Sequence, residues 1–238
     1  MKQRLDQALV VRGLVSTRSQ AESFVKLGEV KVSGRVVTKA GFLVNDTDEI
    51  QITTIERYVS RAGLKLASIA TMLKLNFKDK IVLDVGSSTG GFTDYALQHG
   101  ARKVLAVEVG TNQLHPSLQG HPQIELHEKT DIRDFRTTEN IDVVVADVSF
   151  ISLREILPSV ALLVNKNTQL AMMVKPQFEA GQSSLKHKGV IKNDKMRRDI
   201  LKDFETWAKQ HFAIIDKADS DVAGAKGNRE RFYLLRKV

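Results

Sequence analysis

Residues 80–92 have the sequence Lys-Ile-Val-Leu-Asp-Val-Gly-Ser-Ser-Thr-Gly-Gly-Phe, and this stretch decides the fold. The apolar run at 81–85 is typical of a strand buried on both faces, and the glycines after it allow a backbone to approach a ligand closely. We expect a strand, a glycine turn and then a helix. The turn is neither a G-x-G-x-x-G dinucleotide fingerprint nor a P-loop, because its glycine spacing differs and no Lys-Ser/Thr pair follows.

Two carboxylates near this turn indicate the ligand. Asp84 comes two residues before Gly86. It would repel a phosphate but attract the ammonium and sulfonium of S-adenosylmethionine. Glu108 follows a second apolar run at 104–107, where α/β nucleotide folds place an acceptor for ribose hydroxyls. An ordinary βαβ unit without a ligand is the alternative, and the two carboxylates favour adenosylmethionine.

Further apolar runs alternate with helical patterns. Strands are predicted at 124–127, 141–147 and 169–174, with a helix at 152–164 and two last strands at 212–216 and 231–235 that form an edge pair. This alternation predicts an α/β fold, a Rossmann-like, doubly wound and mostly parallel sheet. Ligands of such sheets bind beyond the carboxyl ends of the strands. The predicted cofactor-binding residues lie there: Asp84, Gly86, Ser87, Gly90, Gly91, Phe92, Glu108, Asp131 and Asp147.

Composition limits the function classes. The chain has 238 residues, 42% of them hydrophobic, which suits one large domain and a small one. The absence of cysteine excludes disulfides, thiolate metal sites and a cysteine nucleophile, and the histidines lack ligand spacing, so no metal is expected. No signal peptide or membrane span is predicted, and we expect a cytoplasmic protein. A net charge of +8 and a pI near 9.6 favour a polyanionic partner.

The first 55 or so residues have a separate pattern, two short helices followed by short alternating strands. This α+β module resembles the S4 RNA-binding domain. The match rests on Arg-Leu-Asp at 4–6, Thr-Arg-Ser-Gln-Ala at 17–21 and Gly-Glu-Val-Lys-Val-Ser-Gly at 28–34. We assign the S4 domain to 1–56, an interdomain linker to 57–63 and the second domain to 64–238.

Basic side chains of this module are the candidate RNA contacts. In S4 domains the helices and the loop before the strand face the RNA backbone, and the resemblance implies phosphate contacts for these residues. A second basic stretch, 186–202, contributes two more candidates. The alternative is that these charges are merely solvated. The RNA-binding candidates are Arg4, Arg18, Lys26, Lys31, Arg35, Lys188 and Lys192.

Taken together, the motifs of the chain resemble the TlyA, or hemolysin A, family. They are Arg-Tyr-Val-Ser-Arg-Ala-Gly-Leu-Lys-Leu at 57–66, Asp-Val-Gly-Ser-Ser-Thr-Gly-Gly-Phe-Thr at 84–93, Asp-Val-Ser-Phe-Ile-Ser-Leu at 147–153, Val-Lys-Pro-Gln-Phe-Glu at 174–179 and Gly-Asn-Arg-Glu at 227–230. The resemblance implies an S4 domain joined to an FtsJ-like methyltransferase domain. It also implies 2′-O-methylation of cytidine in ribosomal RNA, with S-adenosyl-L-methionine as cofactor and ribosomal RNA or a ribosomal subunit as partner.

The resemblance also identifies a catalytic tetrad, namely Lys65, Asp147, Lys175 and Glu230. A ribose hydroxyl is a weak acid, so its attack on a sulfonium methyl needs a base or a group that stabilises the developing alkoxide. We assign that role to Lys175, electrostatic tuning and substrate orientation to Lys65, and positioning to the two carboxylates. Lys65 falls in the first turn of a predicted helix, where the helix dipole disfavours a cation, and a functional role would explain a lysine there. The alternative is a plain surface lysine.

Some departures and alternatives bear on these expectations. Ala62 stands where the family commonly has glycine, and Arg231 where an aromatic residue is common. The chain ends at Val238 without the additional helix of longer members, which favours the large-subunit 23S RNA as substrate. The alternative functions are a membrane-active hemolysin, a non-catalytic RNA-binding or ribosome-assembly factor, and a small-molecule methyltransferase. The oligomeric state stays open.

Overall fold

A computed structural model describes residues 2–15, 18–26, 28–53, 58–180, 189–191, 193–224 and 227–238. Its contacts divide the chain into two compact units, Met1–Arg57 and Tyr58–Val238. Each unit has its own core, and each is described separately below. The domain boundaries predicted from the sequence, including the linker at 57–63, stay a proposal.

The described part of the first unit combines two helices with five short strands, of which the sequence predicts the helices and the strands near 30–32, 36–37 and 49–52. Its elements are β1 (Gln3–Arg4), α1 (Leu5–Val11), α2 (Arg18–Lys26), β2 (Val30–Val32), β3 (Arg35–Val36), β4 (Leu43–Val44) and β5 (Ile50–Ile52). An antiparallel sheet has the order β3-β2-β5, and β1 pairs with β4. Leu5, Ala8 and Leu9 follow helical spacing and are fully buried. A strand of two residues is too short to show the alternation of apolar and polar residues, so the β1–β4 pair was not predicted.

The second unit is the predicted α/β fold. Its elements are α3 (Arg61–Ala70), β6 (Ile81–Val85), α4 (Gly91–Gln98), β7 (Lys103–Val107), β8 (Ile124–His127), β9 (Val143–Ala146), α5 (Leu153–Leu163), β10 (Gln169–Val174), α6 (Pro176–Glu179), α7 (Asp194–Ala208), β11 (Phe212–Asp219) and β12 (Arg231–Lys237). The seven strands have the order β11-β12-β10-β9-β6-β7-β8. The pairs β10–β12 and β11–β12 are antiparallel, and the other pairs are parallel. The two last strands do pair, but only β11 lies at the edge.

Helices cover both faces of this sheet, which explains the continuous apolar strands. Leu83 and Val85 of β6 belong to a core cluster that also contains residues of α5 and α7. Val82, which points to the opposite face of the strand from Leu83, belongs to a second cluster with α3 and α4. Trp207 packs partly buried against the first cluster.

The order of the strands fixes where a ligand can bind. From β6 the chain adds β7 and β8 on one side, and then β9 and β10 on the other. The carboxyl ends of β6 and β9 therefore flank a topological switch point, the place where open α/β sheets bind their ligands. Asp84 lies near the end of β6, the turn from β6 to α4 carries Gly86 to Gly90, and the loops that follow β9 and β10 carry Asp147 and Lys175, respectively.

The start of α3 packs closely against α4. The Asp94 carboxylate of α4 accepts a hydrogen bond of 2.8 Å from the Val59 backbone N–H. A Cβ atom on Gly63 would lie 2.5 Å from the Cβ of Tyr58, and 3.0 Å from the carbonyl oxygen of Gly91. Tyr58 itself is buried in the core of the second unit. Residues 58–63 are thus part of the support of the glycine turn.

Replacing Gly63 with alanine is expected to destabilise the protein by about 1–3 kcal/mol, because Tyr58 or the Gly91 backbone must move. Thermal and urea-induced unfolding would measure the change. Gly41→Ala is the matched control, since a Cβ there would meet only the flexible end of Arg4, at 3.4 Å. Equal stability of Gly63→Ala and Gly41→Ala would contradict the close packing of α3 on α4.

Candidate active site

Two adjoining cavities lie at the carboxyl ends of β6 and β9. The larger, of about 310 Å³, extends from Gly86 past Glu108 and Asp131. The smaller, of about 160 Å³, extends from Asp84 to Lys175. The residues that line both cavities are Gly86, Ser88, Asp147 and Ser149. A ligand that filled both cavities would therefore pass over Gly86 and end beside Lys175.

Asp84 is a buried carboxylate without a cationic partner among the described residues. Its side chain is 1% exposed, and its Oδ2 accepts a hydrogen bond of 2.6 Å from the Thr93 hydroxyl. Its Oδ1 is buried and unpaired within the described chain. Burial raises the pKa of Asp84 to about 7; the Thr93 hydrogen bond opposes this rise, and the nearby Asp147 and Glu108 add to it. A cation bound beside Oδ1 would restore the charged form.

The glycine turn brings its backbone close to the cavities. Gly86 has a φ of 78°, and a Cβ there would lie 3.1 Å from the Asp147 carbonyl oxygen. A Cβ on Gly91 would lie 2.8 Å from the Cβ of Ala62, which shows how tightly α3 covers the turn. The Ser87 hydroxyl is buried and has no partner in the described part of the chain. It is a second polar group that a ligand could satisfy.

Phe92 and Gly90 complete the turn. Phe92 is 2% exposed, lines the smaller cavity and lies 6.0 Å from the ring of Phe232. Gly90 precedes α4 with a φ of 87°, a left-handed conformation that favours glycine. The turn is therefore shaped by packing on its inner side and left open on the cavity side.

Glu108 holds the turn as well as lining the larger cavity. Its Oε2 accepts a hydrogen bond of 2.9 Å from the Ser88 N–H, and its Oε1 accepts one of 2.7 Å from the Gly110 N–H. The carboxylate thus fixes the loop after β6 against the loop after β7. Oε1 also accepts a hydrogen bond of 3.4 Å from Gln113 Nε2, so Oε2 is the oxygen whose second lone pair could accept a hydrogen bond from a ribose hydroxyl.

Asp131 lines the same cavity, but its carboxylate is already engaged. Oδ1 accepts hydrogen bonds of 2.9 and 3.0 Å from the N–H and Nε of Arg133, and Oδ2 accepts one of 2.6 Å from Nη2. The Arg133 guanidinium lowers the pKa of this carboxyl. A ligand group at Asp131 would share the carboxylate with Arg133.

The four residues of the predicted tetrad form two ion pairs. Lys175 Nζ lies 2.5 Å from Asp147 Oδ1 and donates a hydrogen bond of 2.8 Å to the Ser149 hydroxyl. Lys65 Nζ lies 2.5 Å from Glu230 Oε2. The side chains of Lys65, Lys175 and Glu230 are at most 10% exposed. In so little water, removal of one partner leaves the other charge uncompensated.

Contacts on either side fix the Lys65–Glu230 pair. On α3, Arg61 Nη2 donates to the Ala223 carbonyl at 2.5 Å, one turn before Lys65. Ser68 Oγ accepts a hydrogen bond of 3.4 Å from the Asp221 N–H, one turn after Lys65. Residues 221–224 and Glu230 therefore lie over Lys65, which explains why a lysine off the apolar stripe of α3 is buried.

Comparison with known proteins identifies the family of the chain. The FtsJ-like methyltransferase family matches residues 58–237, and the S4 domain family matches residues 3–50. The 16S/23S rRNA (cytidine-2′-O)-methyltransferase TlyA of Mycobacterium tuberculosis is 34% identical over 239 residues, which cover 98% of this chain and 89% of that protein. The chain belongs to the TlyA, or hemolysin A, family.

Two more proteins support this membership. The 23S rRNA (cytidine-2′-O)-methyltransferase TlyA of Campylobacter jejuni is 40% identical over 190 residues, which cover 79% of this chain and 74% of that protein. A solved structure from Streptococcus thermophilus, described as a candidate hemolysin, is 36% identical with a TM-score of 0.77. That match covers 100% of this chain and 89% of that chain.

The S4 unit of this TlyA-family chain holds two of its candidate RNA contacts in an ion-pair cluster. The buried Asp6 carboxylate lies 2.9 Å from Arg4 Nη2 and 2.9 Å from Arg18 Nε. The hydrogen bonds from Arg4 and then Arg18 overcome burial and lower the pKa of Asp6 to about 2. Glu22 lies 3.6 Å from Arg18 Nε, so the cluster contains two positive and two negative charges.

The other RNA-binding candidates differ from these two. Lys31 is half-buried on β2 and Arg35 is exposed on β3, and neither makes an ion pair within the described residues. Lys26 ends α2, and the structure describes only its backbone. Lys188 and Lys192 lie outside the described residues. Arg197, in the same basic stretch, is buried and pairs with Asp219 at 2.6 Å.

Three polar residues of the site were missed by the sequence analysis: Thr93, Ser149 and Glu179. Thr93 donates a hydrogen bond to Asp84, and Ser149 accepts one from Lys175, so both support a predicted site residue. Glu179 accepts a hydrogen bond from the start of α5. All three stand inside the family motifs, and that position is the one signal that could have singled them out. Hydroxyls and capping carboxylates have no spacing rule of their own.

Within the described ranges, no three histidine, aspartate or glutamate side chains form a group that could hold a metal ion. Of the helices in the part of the chain that the structure describes, none has both the length and the apolar composition needed to cross a membrane.

Asp84→Asn is expected to stabilise the ligand-free protein at pH 8 by about 3 kcal/mol. The pKa of Asp84 is higher in the folded protein, about 7, than its ordinary 3.8. The stabilising contribution of the protonated group is therefore complete below about pH 4 and is lost as the pH rises through 7. Asparagine keeps the acceptor for Thr93 but has no charge to bury.

Urea-induced unfolding at pH 5 and pH 8 would measure this effect. The stability gained by Asp84→Asn should be smaller at pH 5 than at pH 8, because at pH 5 ionisation of Asp84 in the unfolded chain has removed only part of the stabilising contribution. Asp79→Asn, the same chemical change at an exposed position, is the control. A pH-independent difference would show that Asp84 ionises freely in the folded protein.

Proposed function

We propose that the protein transfers the methyl group of S-adenosylmethionine to the 2′-hydroxyl of a cytidine in ribosomal RNA. One observation carries the proposal: Lys175, paired with Asp147 at 2.5 Å, lines the same cavity as the uncompensated carboxylate of Asp84. A cationic donor and a proton-handling group would therefore meet in one small space.

The residues present fit S-adenosylmethionine. Asp84 Oδ1 and the Ser87 hydroxyl are buried polar atoms that an ammonium and its neighbouring polar groups would satisfy. Glu108 lies in the larger cavity, at the distance along the chain where this fold binds a ribose. When bound, the cofactor supplies an electrophilic methyl group on its positively charged sulfur. After transfer of the methyl group, that sulfur is left as a neutral thioether.

The side chains of the tetrad have distinct roles in this reaction. Lys175 takes the proton of the hydroxyl or stabilises the developing alkoxide. Asp147 and Ser149 orient its amine, with Nζ distances of 2.5 and 2.8 Å. Lys65, fixed by Glu230, adds positive charge for the alkoxide and orients the substrate.

We infer the substrate from the relatives together with the S4 unit. The two relatives above carry names that specify cytidine in 23S RNA, or in both 16S and 23S RNA. We propose ribosomal RNA or a ribosomal subunit as the partner, with a preference for the 23S RNA of the large subunit. Such a substrate places the protein in the cytoplasm.

The decisive experiment measures transfer of labelled methyl from S-adenosylmethionine to purified small and large ribosomal subunits from cells lacking this protein. Wild type should label RNA, and Lys175→Ala should reduce the rate at least about 100-fold while still binding the cofactor. Lys166→Ala, at an exposed lysine, is the control and should keep full activity.

Each outcome of that experiment has a clear meaning. Label in only one subunit identifies the substrate. No label in either subunit, despite tight cofactor binding, would refute the proposed reaction and favour a binding role. Full methyl transfer by Lys175→Ala would refute the assignment of Lys175.

We also predict unequal contributions within the S4 unit. Lys31→Ala and Arg35→Ala should each weaken RNA binding and lower the slope of log K against log salt by about 0.7–0.9, as expected for one phosphate contact. Arg4→Ala should change that slope less, because Asp6 already compensates its charge. Filter-binding or anisotropy titrations at several salt concentrations would test this, and equal slopes for all three variants would contradict it.

A further inference from the structure

We propose that Glu179 is a positioning residue that fixes the Lys175 loop to the Asp147 loop. Its side chain is 2% exposed. Oε2 accepts a hydrogen bond of 2.6 Å from the Ser152 hydroxyl, and Oε1 accepts one of 2.8 Å from the Leu153 backbone N–H. One carboxylate thus holds the first residues of α5. This inference rests on the function proposed above.

The chain connects these contacts directly to the reacting groups. Residues 147–152 form the loop from β9 to α5, which carries Asp147 and Ser149. Lys175 lies at the end of β10, and Glu179 ends the single turn of α6 that follows it. The Phe178 N–H donates to the Lys175 carbonyl at 2.9 Å, so α6 and Lys175 move together. Glu179 therefore joins the two loops whose side chains form the Lys175–Asp147 pair.

A carboxylate suits this position for two physical reasons. The first N–H groups of a helix have no partner within the helix, and Leu153 is the first residue of α5. A negative charge there is favoured by the helix dipole. Arg154 adds a cation, with its Nε 3.5 Å from Glu179 Oε2. Burial raises the pKa of the Glu179 carboxyl, although the hydrogen bonds from Ser152 and Leu153 and the charge of Arg154 oppose this rise.

The described residues also join the two loops through the flexible Lys175 side chain and through the rings of Phe178 and the exposed Phe150, whose centroids lie 5.2 Å apart. Lys175 reaches Asp147 and Ser149 through four rotatable side-chain bonds, so these contacts alone do not define its position. Glu179 instead binds a backbone N–H, which fixes one backbone segment against the other. Asp84 lies on β6 itself, and Ser87 lies on the loop after it. Loss of Glu179 should therefore displace the Lys175–Asp147 pair while the Asp84 and Ser87 side of the cofactor site keeps its position.

Glu179→Ala and Glu179→Gln test this role. The glutamine amide can still accept from Leu153 N–H and can donate to Ser152, whereas alanine can do neither. We expect Glu179→Ala to lower kcat for methyl transfer by about 10- to 100-fold, as small misplacements of reacting groups do. The KM and Kd for S-adenosylmethionine should change less than about 2-fold. Glu179→Gln should keep most of the kcat.

Asp203→Asn is the matched control, because Asp203 is the other carboxylate that pairs with Arg154, at 2.7 Å, and is largely exposed. It should behave as wild type. Rates are compared at a temperature where unfolding curves show every variant folded. Wild-type kcat in Glu179→Ala would overturn the proposal, and so would equal losses of kcat and cofactor affinity, or equal losses in Glu179→Ala and Glu179→Gln.

A second readout does not depend on turnover. Lys175 is buried in its ion pair, so it should react slowly with an amine-reactive ester, as peptide mass spectrometry can measure. Glu179→Ala should accelerate the modification of Lys175 at least about 5-fold and leave Lys65 unchanged; Glu179→Gln should not. If wild type methylates no ribosomal subunit, the proposed function fails, while the reactivity of Lys175 still decides the role of Glu179.

Discussion

The burial of charged side chains at the carboxyl end of the sheet is the constraint on which the site depends. Lys65, Lys175, Asp84 and Glu230 are each less than 10% exposed. Moving a charge out of water costs several kcal/mol unless it is paired and hydrogen-bonded. The two lysines meet this requirement through Glu230 and Asp147, respectively. Asp84 does not, and its pKa near 7 is the physical expression of that difference.

The supporting contacts follow from the same constraint. An ion pair in a dry site must be held in one geometry, because a small displacement leaves two partly desolvated charges. The pair of Lys65 and Glu230 is flanked by hydrogen bonds one helical turn before and after Lys65. The Lys175–Asp147 pair has Ser149 beside it. The sheet supplies the approximate position of each group, and loop-to-loop hydrogen bonds set the final one.

The sequence was sufficient for the fold because the strands of the second unit are buried on both faces. Continuous apolar runs at 81–85 and 169–174 predicted β6 and β10 with their observed bounds. The order of strands and charged residues then predicted which side chains gather at one edge. The antiparallel insertion of β12 between β10 and β11 was not predicted, because the partners of the β10–β12 pair are 57–65 residues apart and have no local signal.

Which charged side chains pair with each other in the site was harder to predict from the sequence. Charge type and position identified Asp84, Lys65 and Lys175, but not that the tetrad divides into two pairs. Likewise, Arg4 and Arg18 read as free cations, whereas both contact the buried Asp6. Such pairings depend on the directions of side chains in three dimensions, and a sequence motif does not specify those directions.

The state of Asp84 shows how this site combines stability with binding. A protein selected for stability alone would place asparagine or an apolar residue at the end of β6, since a buried, unpaired carboxylate is costly. The carboxylate becomes favourable only when a cation lies beside it, and ionisation of Asp84 is then coupled to binding of that cation. A phosphate ligand would increase the cost instead of removing it. The charge of Asp84 therefore selects for a cationic ligand at the glycine turn, independently of any likeness to other proteins.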